Sequence, residues 1–216
     1  MRNNRTSFFN STLTSALETR SALLFVLLCL STLVLLLLKK IFIENQTAAF
    51  EILEERGEMG VIHIINTLQY FSIPLVYLFK LSLTAFILWI GSFMFGYKIT
   101  FSKMWQICII AEFIFFLPEI IKIGWFLFVD TDPDFFDIRR FYPLSMISLY
   151  NIEDLPDKWF YPLKAANLFE VLYWFLLAAL INLSARKKRS IATAIVFSSY
   201  VPLFIIWLAI YVSVYK

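Results

Sequence analysis

The chain has 216 residues, of which 60% are hydrophobic and 16% are charged, and its formal net charge is +3. A soluble domain is usually about half apolar and about a quarter charged, and here the apolar excess lies in long uninterrupted runs, so the composition excludes an ordinary soluble domain. The basic residues lie mostly at the edges of these runs and not on an aromatic-rich face, which excludes a nucleic-acid-binding surface of the usual kind.

The first apolar run follows a polar N-terminal segment, residues 1–20. Residues 21–38 carry no charge, and Lys39 and Lys40 follow them directly. A run of this length without a small-x-small cleavage site close behind it predicts a retained membrane span and not a signal peptide. The next segment, 44–60, carries five glutamates and is predicted to be a solvated helix near the membrane surface.

The apolar stretch from Val61 to Phe95 is too long for one crossing and contains no turn for two. Pro74 suggests a division, with residues 61–72 in the membrane interface and the second span after them. The sequence as a whole predicts an all-α integral membrane protein with short interfacial helices and five spans. The predicted spans are 21–38, 73–96, 104–129, 165–184 and 191–214.

Four consecutive basic residues, here called the basic tetrad, separate the last two spans. They are Arg186, Lys187, Lys188 and Arg189. Short basic loops stay on the cytoplasmic side, because translocating several positive charges is disfavoured. Successive spans cross the membrane in opposite directions. If the tetrad is cytoplasmic, five spans therefore place the N-terminus in the cytoplasm and the C-terminus outside. Lys39 and Lys40 favour the opposite orientation, but the compact tetrad outweighs them.

Several charged side chains fall inside the predicted spans, where each costs about 2.5–3.5 kcal/mol at a helix centre. Counting about 1.5 Å of rise per residue places four of them at one depth in the outer half of the bilayer. These four are Lys80, Glu119, Lys122 and Glu170. We expect them to form an ion-pair cluster that joins spans two, three and four, with Lys122 paired to Glu170. The alternative is that each side chain reaches the interface separately.

Glu112 lies deeper, in the inner half, and no basic residue matches its predicted depth. Ser198 and Ser199 of span five do match it. Glu112 is therefore a candidate protonatable site, either a carboxylate that binds a transported proton or, as we favour, a protonated acid hydrogen-bonded to a serine. It shares a helix face with Glu119, and Pro118 between them is predicted to kink the helix.

A four-residue motif, Phe-Tyr-Pro-Leu, occurs at 141–144 and again at 160–163. Proline suits the first turn of a helix, and paired aromatic residues suit the headgroup level of a membrane. We therefore expect the second copy to open span four and the first copy to open a short interfacial helix that ends before Asn151.

The residues needed for common catalytic or metal chemistry are missing from the sequence. His63 is the only histidine, so a Cys/His zinc site or a haem site is not predicted. The scattered glycines form no phosphate-binding loop, and no serine lies in a nucleophile-elbow pattern. We predict no enzyme activity, no cofactor and no metal.

The stretch from Pro143 through the fifth span resembles the Yip family, small five-span membrane proteins named for their interaction with Ypt/Rab GTPases, which also have bacterial relatives. The residues that carry the resemblance are Pro143-Leu144-Ser145, Asn167-Leu168-Phe169-Glu170 and the junction 184–192, rich in Ser, Lys and Ala. The Asp-Leu-Tyr-Gly-Pro motif of the eukaryotic members is absent and the N-terminal tail is short. This departure makes GTPase binding doubtful and favours a bacterial-type member, for which the resemblance implies membrane organisation or an accessory role.

The sequence therefore predicts a scaffold or accessory subunit of a larger membrane assembly, with the lipid bilayer and other membrane-protein subunits as its partners. The expected location is the bacterial cytoplasmic membrane, with a eukaryotic endomembrane as the alternative. The alternative function is a small transporter or channel component that uses Glu112 and Glu119. A transporter would more naturally show inverted repeats or broken spans, and only Pro118 hints at a broken span.

Overall fold

The computed structural model describes residues 3–43, 59–129, 137–138, 141–150, 155–185 and 189–215. Within these ranges the only β pairing is one isolated bridge, so the prediction of an all-α chain is confirmed. The helices are α1 (Asn3–Glu18), α2 (Ser21–Phe42), α3 (Met59–Met94), α4 (Phe101–Glu112), α5 (Phe116–Phe128), α6 (Asp157–Ala165), α7 (Leu168–Ala185) and α8 (Arg189–Val214).

Among the described residues, four stretches are long and apolar enough to cross a membrane, judged by length and composition. They are Ser21–Phe42, Thr67–Met94, Leu168–Ala185 and Arg189–Val214. These stretches correspond to the first, second, fourth and fifth predicted spans, with ends that differ by a few residues. The chain is accordingly a membrane-embedded, multi-pass helical protein.

The region predicted as the third span is divided in the structure. Helix α4 is followed by a 3₁₀ turn at Phe113–Phe115, and α5 continues from there. Pro118 has no N–H to donate, and its ring crowds the carbonyl four residues earlier, which is that of Ile114. The kink that the sequence predicts at Pro118 therefore lies one turn before the proline.

Helix α3 runs without interruption through Pro74, so the proline does not break the helix there, and the assignment of 61–72 to the membrane interface stays a prediction. A proline removes one backbone hydrogen bond, and a long apolar helix in a membrane tolerates this loss because the bonds on either side persist. With 36 residues, α3 is about 54 Å long, well beyond the roughly 30 Å of a bilayer's hydrocarbon core.

Helix α4 lies at the centre of the bundle and contacts α1, α2, α3 and α7. The Thr100 side chain caps its first turn by accepting a hydrogen bond from the Lys103 backbone N–H. From Gln106 to Glu112 every residue of α4 is buried, so the helix has no face toward lipid over its second half. The apolar core is built around this helix.

The N-terminal segment also belongs to this core. Leu13 and Leu17 of α1 are buried against it. The Lys103 ammonium donates to the Leu17 carbonyl oxygen at 2.5 Å, and the Gln106 amide donates to the Thr19 carbonyl oxygen at 2.5 Å. These bonds satisfy carbonyl groups at the end of α1 and hold it against the start of α4.

The prediction that the second Phe-Tyr-Pro-Leu copy opens a membrane span is wrong. Helix α6 begins at Asp157, with Pro162 inside it, and a separate helix, α7, begins at Leu168. The Asn167 side chain caps α7 by accepting a 2.9 Å hydrogen bond from the Glu170 N–H. The first copy is followed by a 3₁₀ turn, Met146–Leu149, which does end before Asn151.

The segments that follow the two copies are bonded to each other. Ser145 and Asn167 form an antiparallel bridge. The Met146 N–H donates to the Ala166 carbonyl oxygen and the Leu168 N–H donates to the Leu144 carbonyl oxygen, both at 3.0 Å. The bridge fixes the loop at 144–146 to the start of α7.

Helices α3 and α8 approach each other closely at Gly91. A Cβ atom added there would lie 2.7 Å from Ser199 Oγ and 2.8 Å from Ser199 Cβ, closer than real Cβ atoms come. The absence of a side chain at Gly91 therefore sets the distance between the two helices at this level.

We predict that Gly91→Ala destabilises the protein. Forcing a methyl group into this contact costs about 1–3 kcal/mol, which exceeds the gain of about 1 kcal/mol from replacing glycine by alanine in a helix. Unfolding in mixed micelles should show the loss, and adding Ser199→Gly should recover part of it. Gly124→Ala is the matched control, because nothing lies within 4 Å of its added Cβ. Equal effects at the two glycines would contradict the close contact.

Candidate functional site

A groove with a volume of about 2020 Å³ runs between α3 and α8 and is bounded further by α2, α5 and α6. Its side walls are apolar and strongly exposed, with Leu75 at 69%, Phe79 at 74% and Trp207 at 56%. On α3 the wall residues recur every three or four positions, so they form one stripe along the helix. Charged and hydrogen-bonding side chains line the rest of the groove. We call the part formed by Lys80 and Glu112 the floor, and the part formed by Tyr142, Tyr161 and Lys164 the back wall.

An ion pair between Lys80 of α3 and Glu112 of α4 forms the floor of the groove. The Glu112 side chain is only 3% exposed, whereas that of Lys80 is 44% exposed and faces the groove. The Lys80 ammonium also lies 4.8 Å from the centre of the Phe115 ring, a distance suited to a cation–π contact. The pairing neutralises two charges that would each be costly within a membrane.

The prediction that no basic residue reaches Glu112 is wrong. Counted from the predicted span ends at 96 and 104, Lys80 lies about 12 Å farther from the cytoplasmic side than Glu112 does. In the structure α3 ends at Met94 and α4 begins at Phe101, and the same count gives a difference of only about 4.5 Å. A lysine side chain is long enough to span that difference, so the ammonium reaches the carboxylate on the neighbouring helix. The expected serine bond is also wrong, because the hydroxyls of Ser198 and Ser199 both donate to the Ile195 carbonyl oxygen.

One oxygen of Glu112 has no partner among the residues that the structure describes. Oε1 takes the Lys80 ammonium, whereas Oε2 is buried and accepts no hydrogen bond from them. Buried carboxylate oxygens are normally satisfied, since an unmade bond to a charged group is costly. This atom is the most unusual feature of the groove.

Glu170 is buried beside the same groove, at the first turn of α7. Its Oε1 atom accepts hydrogen bonds from Trp174 Nε1 at 2.9 Å and from the Tyr200 hydroxyl at 3.0 Å. These donors come from α7 and α8, so the carboxylate joins the last two helices of the bundle. Sequence reasoning missed Tyr200 because a tyrosine in an apolar run looks like any other aromatic residue at a membrane level.

The predicted pair of Lys122 and Glu170 is not present in the described part of the chain. Lys122 is buried, and its ammonium donates to the Ile138 carbonyl oxygen, outside the groove lining. Glu119 is partly exposed and lines the groove. Of the four residues predicted to cluster, the structure therefore brings Lys80, Glu119 and Glu170 to one groove and directs Lys122 elsewhere.

The back wall carries side chains from both copies of the repeated motif. Tyr142 and Tyr161 line the groove, and the Lys164 ammonium lies 5.5 Å from the centre of the Tyr142 ring. Burial raises the pKa of the Tyr142 hydroxyl, and the negative charges of nearby carboxylates raise it further. Those carboxylates are Glu119, Glu170 and Glu112.

The groove is bounded toward the interior where α3 meets α8. Beneath the contact of Gly91 with Ser199, the interior of the bundle is filled mainly by apolar side chains with no exposure, including Leu88, Ile107 and Leu180, with the buried Ser92 hydroxyl among them. Ile195 of α8 closes the same layer. The polar floor therefore rests on a close-packed core that extends toward the junction of α7 and α8.

The basic tetrad lies mostly outside the described residues, since Arg186, Lys187 and Lys188 are not among them. Arg189 is the first residue of α8. Among the described side chains, no group of three or more His, Cys, Asp or Glu residues could hold a metal ion.

We predict that Lys80 and Glu112 are energetically coupled and that Lys122 and Glu170 are not. Replacing Lys80 by Met leaves a buried carboxylate without its counter-ion, so it should destabilise the protein more than the double variant Lys80→Met with Glu112→Gln. A double-mutant cycle measured by unfolding in mixed micelles should give a coupling of about 1–3 kcal/mol for this pair. The same cycle with Lys122→Met and Glu170→Gln is the control. A larger coupling in the control would restore the pairing predicted from the sequence.

Comparisons of the chain with models of protein families, with curated proteins and with solved structures find no match. The resemblance to the Yip family therefore stays a prediction that rests on the residues quoted above. The function has to be inferred from the geometry of the groove.

Proposed function

We propose that this chain is a non-enzymatic, multi-span membrane protein that acts as a scaffold or accessory subunit of a larger membrane assembly. The observation that carries this proposal is that the polar groove ends on a close-packed apolar core. Such a groove can hold a partner or a ligand, but it offers no route for an ion through the bundle.

The contrast with transport rests on what lies on either side of the Lys80–Glu112 pair. Toward the junction of α7 and α8, Leu88, Ile107 and Ile195 are fully buried. The polar atoms on this side, Ser92 Oγ, Asn182 Oδ1 and Ser184 Oγ, are buried without a hydrogen-bond partner among the described residues, so they form no hydrogen-bonded chain that an ion could follow. On the groove side, Glu112 and Glu119 line the cavity. A transporter would need that core to open, whereas a binding role uses the groove as it stands.

We further propose that the divided region from α4 to α5 also crosses the membrane, as the third of five spans, with the N-terminus in the cytoplasm and the C-terminus outside. Residues 101–128 rise about 42 Å if helical throughout, which exceeds the roughly 30 Å needed. A kinked helix at the centre of a bundle is compatible with a membrane, because neighbouring helices cover its broken backbone.

The location proposed is the bacterial cytoplasmic membrane, with a eukaryotic endomembrane as the alternative. GTPase binding is not part of the proposal.

The number of spans can be tested with terminal tags. We expect the N-terminal tag to be protected from protease added outside spheroplasts and the C-terminal tag to be cleaved, because an odd number of crossings separates the ends. Permeabilised cells provide the control, since both tags should then be cleaved. Cleavage or protection of both tags together in intact spheroplasts would indicate an even number of spans.

The accessory role predicts stable partners. Extraction in mild detergent should yield the tagged chain together with other membrane proteins in fixed stoichiometry, as measured by quantitative mass spectrometry. A protein that purifies alone after crosslinking in intact membranes would contradict this role.

The purified chain in vesicles should show the proton flux of protein-free vesicles, because the core blocks a path. A flux that Glu112→Gln abolishes and Glu18→Gln leaves unchanged would establish transport instead. Glu18 is the matched control, since it is an exposed glutamate in α1, far from the groove lining.

A further inference from the structure

We propose that the groove binds an isoprenoid quinone, with a ring carbonyl oxygen accepting a hydrogen bond from the Lys80 ammonium and the apolar tail lying along α3. The ligand class is a neutral lipid whose hydrogen-bonding groups are carbonyl oxygens on a flat ring. This inference goes beyond the accessory role and does not depend on it, because it concerns a small molecule held by this chain alone.

The first argument is the hydrogen-bonding capacity of the Lys80 ammonium. An ammonium group has three N–H donors. Among the described residues, only Glu112 Oε1 accepts a hydrogen bond from this one. The Lys80 side chain is 44% exposed and faces the groove, whereas the Glu112 carboxylate lies behind it and is 3% exposed. A molecule in the groove therefore meets an accessible donor, and the complementary group on the ligand is an oxygen that accepts a hydrogen bond.

The second argument is the balance of charge in the groove. Three lysines and three glutamates line it, namely Lys39, Lys80, Lys164, Glu112, Glu119 and Glu170. At the floor, Lys80 and Glu112 neutralise each other directly. The lining therefore has no surplus charge to compensate a charged headgroup, whereas a carbonyl oxygen needs only a donor to replace its lost hydration.

The third argument is the position of Lys80 along α3. The stretch that is long and apolar enough to cross a membrane is Thr67–Met94, and Lys80 lies 13 residues after its first residue and 14 before its last. At about 1.5 Å per residue, the backbone of Lys80 is about 20 Å from either end. Phospholipid headgroups stay at the membrane surface, and a charge near the centre is costly. The group that meets Lys80 is therefore an uncharged one that can lie inside the hydrocarbon layer.

The fourth argument is the shape of the groove and the chemistry of its lining. On α3 the lining extends from Gln69 to Met94, which is about 37 Å of helix, so the groove can hold a long apolar tail. Phe115, whose ring centre lies 4.8 Å from the Lys80 ammonium, lines the groove together with Phe116 and Tyr200. Aromatic side chains stack favourably on a flat conjugated ring. A quinone matches the donor, the aromatic residues and the apolar length together.

Two other occupants fit the groove less well. Packed membrane helices approach each other through small residues, whereas the exposed walls of the groove carry Phe79, Phe86 and Trp207. A diacylglycerol also has carbonyl oxygens, but it has no ring to stack on the aromatic residues. Both occupants are distinguished from a quinone by the test.

The test uses the purified full-length protein in phosphatidylcholine nanodiscs that contain no quinone. Decylubiquinone is added in one sample, and equal amounts of decylbenzene, didecanoylglycerol or decanoate are added in others. Native mass spectrometry after gentle release should show one decylubiquinone per chain. Each other probe should be retained about tenfold less or weaker still, because a hydrogen bond to a charged donor contributes at least that much and decylbenzene cannot accept one.

A first pair of variants connects this retention to the donor. Lys80→Met combined with Glu112→Gln removes the ammonium and its counter-ion together, so it should lower decylubiquinone retention about tenfold. Lys98→Met is the control and should leave retention unchanged, because Lys98 is exposed and lies outside the groove lining.

A second pair connects it to the space. Leu83→Trp should reduce retention of decylubiquinone by filling the groove one turn from Lys80, whereas Leu78→Trp should not. Both leucines lie on α3 and are equally exposed, at 49% and 50%, and only Leu83 lines the groove. If the double variant fails to fold, the comparison of Leu83→Trp with Leu78→Trp decides.

Retention of decylbenzene at the level of decylubiquinone would overturn the proposal, as would a preference for didecanoylglycerol or decanoate. It would also fail if the folded double variant, or Leu83→Trp in its place, retained decylubiquinone as the unaltered protein does. A partner helix that crosslinked to the groove at position 83 and excluded the quinone would overturn it as well. The retention measurements use the chain alone, so their failure can be told apart from failure of the accessory role.

Discussion

The ion pair of Lys80 and Glu112 is the interaction on which the rest of the groove depends. It joins α3 to the central helix α4 and fixes the rotation of α3 against it, because a buried carboxylate tolerates little displacement of its counter-ion. That rotation turns one apolar stripe of α3 toward the groove. It also leaves Glu112 with one oxygen bound to lysine and the other buried without a hydrogen-bond partner among the described residues.

The groove is closed toward the interior and open on one side, and two local features cause this. At Gly91 the missing side chain lets α8 approach α3, and the layer beneath it is filled mainly with apolar residues. Farther along both helices, bulky side chains such as Phe79 and Trp207 stand on the walls and stay exposed. A blind cavity open to the side, polar inside and apolar at its margins, is suited to holding a molecule that itself combines the two characters.

The sequence was sufficient for the helical class and for four apolar helices, because long uncharged runs leave few alternatives to a membrane span. It also predicted a disturbance of the helix at Pro118, which the structure shows as a 3₁₀ turn one turn earlier, since a proline acts on the carbonyl four residues before it. The pairing of Glu112 was missed because the depth estimate used span ends at 96 and 104, whereas α3 ends at Met94 and α4 begins at Phe101, which brings Lys80 within a side chain's reach of Glu112. The groove itself was not predictable, because Leu75 on its wall has the same chemistry as a leucine that faces lipid. The repeated Tyr-Pro motif was the one available signal, and it marked the back wall and not two helix starts.

The bridge between Ser145 and Asn167 has a mechanical consequence for that wall. It attaches the loop carrying Tyr142 to the backbone that opens α7, where Glu170 and its capping residue lie. A rotation or tilt of α7 would therefore move Tyr142 and Glu170 together.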